Sequence, residues 1–270
     1  MTTGISKYYV FLFLALLLSI PFYIWGALSP VSGLPFGLPI SFLMIFVPFL
    51  LALVFAWRED GTAGIIFLFT SILDLRKAKP WAALFSIFCM PLALLLSFFT
   101  MQVLSIPLPA KITIPVREIP AMLILYFPGA IPEEFGWTLT LSEPLTKAHG
   151  PIKAGLMIGA VWALWHVIPW SWAHPTGWIL GMFLLNLVIR IGMVTAFIYG
   201  GKSVFFAILF HAMINVSMGL FPNSGSHTNT WIIAVWVGGI LGLTLLYLRG
   251  KRRGSPFQVG YPGGSCPGAR

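Results

Sequence analysis

The chain of 270 residues is dominated by apolar runs that recur at about the thickness of a bilayer core. A helix needs about 20 apolar residues to cross roughly 30 Å of hydrocarbon. Runs of that length occupy about 8–28, 38–57, 81–104, 119–142, 152–172, 177–199, 203–221 and 230–248. In lipid every backbone polar group must be satisfied within the protein, so these runs have to be helices. The expectation is an all-α polytopic membrane protein with about eight transmembrane helices and a polar cavity inside the bundle. Composition agrees, with 58% hydrophobic and 9% charged residues, where soluble domains carry about 25% charged residues. The run at 8–28 is long, contains Pro21 and precedes no small-x-small cleavage site, so it reads as a span rather than a signal peptide. Residues 1–249 form one transmembrane domain in this reading. Residues 250–270, rich in Gly, Pro and charge, form a disordered cytoplasmic tail. The segment G-I-I-F-L-F-T-S-I-L after Arg58 is too short to span and reads as interfacial or re-entrant.

Charge fixes an orientation. With eight spans both termini share a side, and that side holds thirteen Lys and Arg residues against Lys111 and Arg117 opposite. The positive-inside rule makes the rich side cytoplasmic. The net charge of +9 is then accounted for by topology and lipid headgroups, and nucleic acid is not a partner. Cys89 and Cys266 suggest no disulfide framework, and four residues follow Cys266, one too many for a prenylation box. The expected setting is a prokaryotic plasma membrane.

Against that apolar background, four polar motifs stand out: Glu133 and Glu134, Trp162 and His166, Asn186 and Arg190, and His211 and Asn215. Ionisable groups in hydrocarbon are costly and mark functional sites by default. Glu133 lies ten residues before Glu143, about 15 Å at helical rise, and His166 thirteen beyond Lys153, about 20 Å, so the motifs share a depth. Adjacent residues on a helix point about 100° apart, so Glu133 and Glu134 can do different jobs. Pro128 and Pro132 precede them and favour irregular backbone of the kind that lines a cavity. Trp162 and His166, and His211 and Asn215, are pairs four residues apart and share helix faces. Arg190 keeps its proton and needs an anion at that depth, so an Arg190–Glu134 contact is predicted.

Taken together these groups supply a general base, an acid and oxyanion donors, the parts needed to hydrolyse an amide without a covalent intermediate. Neither a G-x-S-x-G elbow nor an H-E-x-x-H zinc motif is present. No cofactor is called for, although two carboxylates and two histidines can also hold a metal.

The motifs, in this order, resemble the CPBP family of CAAX proteases and bacteriocin-processing enzymes, which includes the Ras-converting CAAX prenyl endopeptidase. That family shows E-E-x-x-x-R, aromatic-x-x-x-H and H-x-x-x-N on three of eight transmembrane helices. Here Glu133-Glu134, Trp162…His166 and His211…Asn215 match, within roughly residues 115–220. The resemblance implies an intramembrane glutamate-dependent endopeptidase. Glu133 with His166 would activate water, and His211 with Asn215 would form the oxyanion site. The expected partner is a lipidated or membrane-embedded peptide in the bilayer. The family's arginine falls on Thr138, so its Glu–Arg pair one turn apart is missing, and Arg190 is the cation left to replace it. Three alternatives stand beside the protease: an inactive relative acting as scaffold or immunity factor, a metal-dependent variant, and a proton or ion pathway.

Overall fold

The computed structural model describes residues 4–29 and 39–253, and all regular structure among them is helical. The chain runs through α1 (Ser6–Leu17), α2 (Ile20–Leu28), a 3-10 segment (Ile40–Ile45), α3 (Phe46–Thr70), α4 (Pro80–Val103) and α5 (Ile119–Glu134). A π-helical segment (Phe135–Thr140) leads into α6 (Ser142–His149), followed by α7 (Pro151–Ser171), α8 (Thr176–Tyr199), α9 (Val204–Leu220) and α10 (Thr230–Arg253). Six stretches among the described residues are long and apolar enough to cross a membrane: Ser6–Leu28, Ile40–Thr70, Pro80–Val103, Pro151–Ser171, Thr176–Tyr199 and Thr230–Lys251. The other two expected spans are α9, at 17 residues, and α5 with its π-helical continuation. The expected tail begins inside α10, which runs to Arg253, and the rest of it, with Cys266, lies outside the described residues.

The segment after Arg58 does not span. Gly61 adopts φ 59° and ψ −139°, which an L side chain resists, and helical geometry resumes beyond it. Residues 62–70 then fold back on the first part of α3. Phe69 meets Phe49 with ring centroids 6.3 Å apart, and Gly64 faces the Ala56 carbonyl so closely that any side chain there would collide with it. The result is a short helical hairpin, consistent with a run too short to cross.

Two packing features place the site. Helices α7 and α8 approach through a small-residue face, as membrane helices do where no side chain keeps their backbones apart. A Cβ at Gly155 would sit 2.6 Å from the Ile191 Cα, and one at Gly159 would sit 3.1 Å from both the Leu187 Cα and the Arg190 Cβ. On the other face of α7, Trp165 is locked by helices α1 and α2. Its indole N–H donates to Ser19 Oγ at 2.6 Å, and Tyr23 O–H donates to its carbonyl at 2.7 Å. Trp137 fills the space between Phe11 and Trp165, wholly buried. Between these two faces α7 cannot slide, so Trp162 and His166 have fixed positions.

At one end of the bundle Lys7 pairs with Glu59 at 2.6 Å, and Glu143 takes Lys147 at 2.8 Å and Lys202 at 2.7 Å. These residues come from segments expected on the same, basic side, and the structure brings them to one end.

Candidate active site

The chain builds the site by breaking a helix in a controlled way. Pro128 and Pro132 lie inside α5, each removing a backbone donor and crowding the carbonyl one turn earlier. Directly after Glu134 the helix widens to π geometry over Phe135–Thr140, where Thr140 O–H reaches back five residues to the Phe135 carbonyl at 2.8 Å. Such π segments recur at functional sites because they re-aim side chains within a continuous helix. Here the irregular stretch leaves Glu133 6% exposed and Glu134 not exposed at all, each with its own set of partners.

Glu134 is fully engaged. Arg190 from α8 donates to it twice, Nη1 to Oε2 at 2.8 Å and Nη2 to Oε1 at 3.3 Å. Thr138 O–H donates to Oε2 at 2.5 Å, and His211 Nδ1 from α9 lies 2.8 Å from Oε1. The contact predicted between Arg190 and Glu134 is present, and both side chains are 0% exposed. Arg190 also lies over the Trp162 ring at 4.1 Å, a cation–π contact of the kind worth about 2 kcal/mol when desolvated. Thr138, which stands where the related motif has arginine, keeps the hydrogen bond one turn from Glu134, while the positive charge arrives from a different helix.

Glu133 faces elsewhere. Its Oε2 accepts the Trp162 indole N–H at 2.8 Å, and its Oε1 lies 4.0 Å from His211 Nε2. His166 makes no direct hydrogen bond to Glu133; its Nδ1 donates to the Trp162 carbonyl at 2.8 Å, since a carbonyl can only accept. That fixes the tautomer and leaves Nε2 of neutral His166 as an acceptor. An ionised Glu134 fixes His211 in the same way, holding Nδ1–H and leaving Nε2 toward Glu133.

Two cavities meet at this cluster. The larger, of about 590 Å³, is walled by α7, α8 and α9 and lined by Trp162, His166, Trp170, Trp178, Met182, Asn186, His211 and Asn215, among others. The smaller, of about 300 Å³, is lined by Phe42, Met44, Ile45, Leu125, Gly129, Glu133 and Pro169, and shares Tyr126, His166, His211 and Asn215 with the larger. Both sizes suit small-ligand sites, which run from about 300 to 1,000 Å³. Of the candidates, Glu133, Trp162, His166, Asn186, His211 and Asn215 reach a cavity wall, whereas Glu134, Arg190 and Thr138 are packed behind it. Tyr126, Trp170, Trp178 and Met182 were not singled out from sequence, because a lone aromatic or Met in an apolar helix carries no signal of its own. Among the described residues no group of three or more His, Cys, Asp or Glu is arranged to hold a metal ion. Both Glu134 oxygens already take strong donors.

The fold and site define a polytopic membrane protein with a buried carboxylate, histidine and arginine cluster at the junction of two cavities. Residues 115–217 match the family model described as type II CAAX prenyl endopeptidase Rce1-like, so the site-bearing part of this chain is similar to that family. That segment runs from the turn before α5 to nearly the end of α9 and contains every residue of the cluster. No curated protein matches the chain.

Proposed function

We propose that the chain is an intramembrane peptidase in which Glu133 is the general base. The observation that carries this reading is the unequal treatment of the two carboxylates. Glu134 takes Arg190, Thr138 and His211, whereas Glu133 takes the Trp162 indole on one oxygen and keeps the other turned toward His211 at the cavity junction. Water held between Glu133 Oε1 and His166 Nε2, which both accept from it, loses a proton to Glu133 as its oxygen attacks the peptide carbonyl. Asn215 lines the cavity beside His211, and its amide N–H donates to the oxyanion that forms. The carbon–nitrogen bond then breaks and the proton passes to the departing amine, with His166 placed to relay it. Glu134, Arg190 and Thr138 hold His211 in its tautomer and orientation, as a buried acid holds the histidine of a catalytic triad.

The substrate class that fits is a lipidated or membrane-embedded peptide entering from the bilayer, and the basic end of the bundle is the cytoplasmic one. The loss of arginine at position 138 speaks less for an inactive scaffold than sequence suggested, because Arg190 brings the same charge to Glu134. A comparison of peptide termini tests the proposal. Membranes holding the native chain are set against membranes holding Glu133→Gln at equal abundance. Loss of a general base costs about 10²–10⁴-fold in rate. Termini that appear only with the native chain support the reading, and identical termini in both membranes refute it.

A further inference from the structure

Asn186 is a buried polar residue in the wall of the larger cavity, apart from the glutamate cluster. It lies on α8 one turn before Arg190, so the two share a helix face with Cβ atoms about 6 Å apart. Trp178, Met182 and Asn186 follow at four-residue spacing along the same wall of the larger cavity, and Arg190 lies behind its floor. The side chain is 3% exposed, and its Nδ2 group is buried with no hydrogen-bond partner among the described residues. A buried donor left unpaired costs about 1–3 kcal/mol. The position is rigid, because Gly159 of α7 packs against the Asn186 carbonyl and the Leu187 Cα. Helix movement therefore offers the amide no alternative partner.

Resting on the peptidase reading above, we infer that Asn186 is a substrate-positioning residue whose amide N–H donates to an acceptor oxygen of the bound peptide. The facing walls carry His166 on α7 and His211 and Asn215 on α9, so a chain lying between them passes Asn186 beside the bond to be cut. A backbone carbonyl and a terminal carboxylate present the same acceptor chemistry, and either one satisfies the orphan donor. The residue binds and orients; it takes no part in proton transfer.

The test uses the full chain in detergent and separates this inference from the peptidase reading. Asn186→Leu replaces the amide with an apolar group of similar shape. If the donor is unpaired until substrate arrives, the variant's melting temperature equals or exceeds that of the native chain. A clearly lower melting temperature would mean that the amide is bonded inside the protein, and would overturn the inference whatever the enzyme does. The second arm uses S-prenylated peptides ending in Cys-aliphatic-aliphatic-X, as free acid and as amide, titrated into the Glu133→Gln chain with and without Asn186→Leu. Tryptophan fluorescence is the readout, since Trp162, Trp170 and Trp178 line the cavity. The expected result is at least tenfold weaker binding on loss of Asn186, equal for both termini if a backbone carbonyl is held and confined to the free acid if the carboxylate is. Titrations that do not depend on residue 186 overturn the inference. In a cleavage assay the matching signature is a raised KM with kcat little changed. Failure of Glu133→Gln to alter cleavage would instead sink the peptidase reading and leave the binding result standing.

Discussion

Replacing Arg190 with Met removes the guanidinium bonded to Glu134 and leaves a wholly buried carboxylate with Thr138 and His211 as its partners among the described residues. Two unit charges about 4 Å apart attract by about 4 kcal/mol at an effective dielectric constant of about 20. Removing one partner of a buried pair costs about 3–5 kcal/mol, because the other is left uncompensated. The loss of the cation–π contact with Trp162 pushes the cost toward the top of that range. Glu134→Met has a similar cost, since it strands Arg190. The double variant strands no charge. It leaves only the Thr138 hydroxyl and His211 Nδ1–H without their acceptor, at about 1–3 kcal/mol each. The coupling between positions 134 and 190 is therefore about 3 kcal/mol, read from reversible unfolding in mixed micelles followed by tryptophan fluorescence. Arg190→Met combined with Thr138→Arg, which moves the cation to the position the related motif uses, recovers part of the stability lost in Arg190→Met. Additivity of the two Met variants to within about 0.5 kcal/mol would refute the argument.

Other outcomes follow from the same geometry. Gly155→Ala places a methyl group 2.6 Å from the Ile191 Cα, so it forces α7 and α8 apart and destabilises by about 1–3 kcal/mol, with activity falling as Arg190 is drawn off Trp162. Gly129→Leu meets no atom within 4 Å of its Cβ, so the variant keeps the native melting temperature. Its side chain lies one turn from Glu133 and narrows the smaller cavity, so peptides with a bulky residue beside the scissile bond lose cleavage before those with a small one. Burial raises the pKa of Glu143, but hydrogen bonds and attraction from Lys147 and Lys202 outweigh it and leave the group below the ordinary carboxylate range. A lowered folded pKa gives stability that is full above the unfolded value near 4.3 and is lost as pH falls through the folded value. Melting temperature should thus drop on acidification below about pH 4.3, and Glu143→Gln should remove part of that drop.

Much of the architecture was legible because bilayer physics acts on local sequence. A run such as 177–199 must be a helix, whatever its neighbours, since its backbone has no other means of satisfying its hydrogen bonds. The failure of G-I-I-F-L-F-T-S-I-L to span follows from length alone, although its folding back at Gly61 does not. The Arg190–Glu134 pair was also within reach, because a permanent cation at mid-depth demands an anion and the acidic residues at that depth are two neighbours. The choice of Glu134 over Glu133 agrees with the structure, in which Glu134 meets Arg190 of α8 while Glu133 meets Trp162 of α7. The pairing of His166 with Glu133 implied by the resemblance is indirect here, and Trp162 takes the hydrogen bond instead.

The sequence by itself determined the solvent, the helices and the chemical inventory, since each depends on composition and spacing along one segment. Only the tertiary structure decided how the two carboxylates divide the surrounding donors, Trp162 going to Glu133 and Thr138 and His211 Nδ1 to Glu134. That assignment depends on the π-helical turn after Glu134, on the glycine face that lets α8 press Arg190 against α7, and on the direction from which His211 arrives. Each of these is a meeting of residues far apart in the chain, where small differences in helix rotation decide which side chains touch.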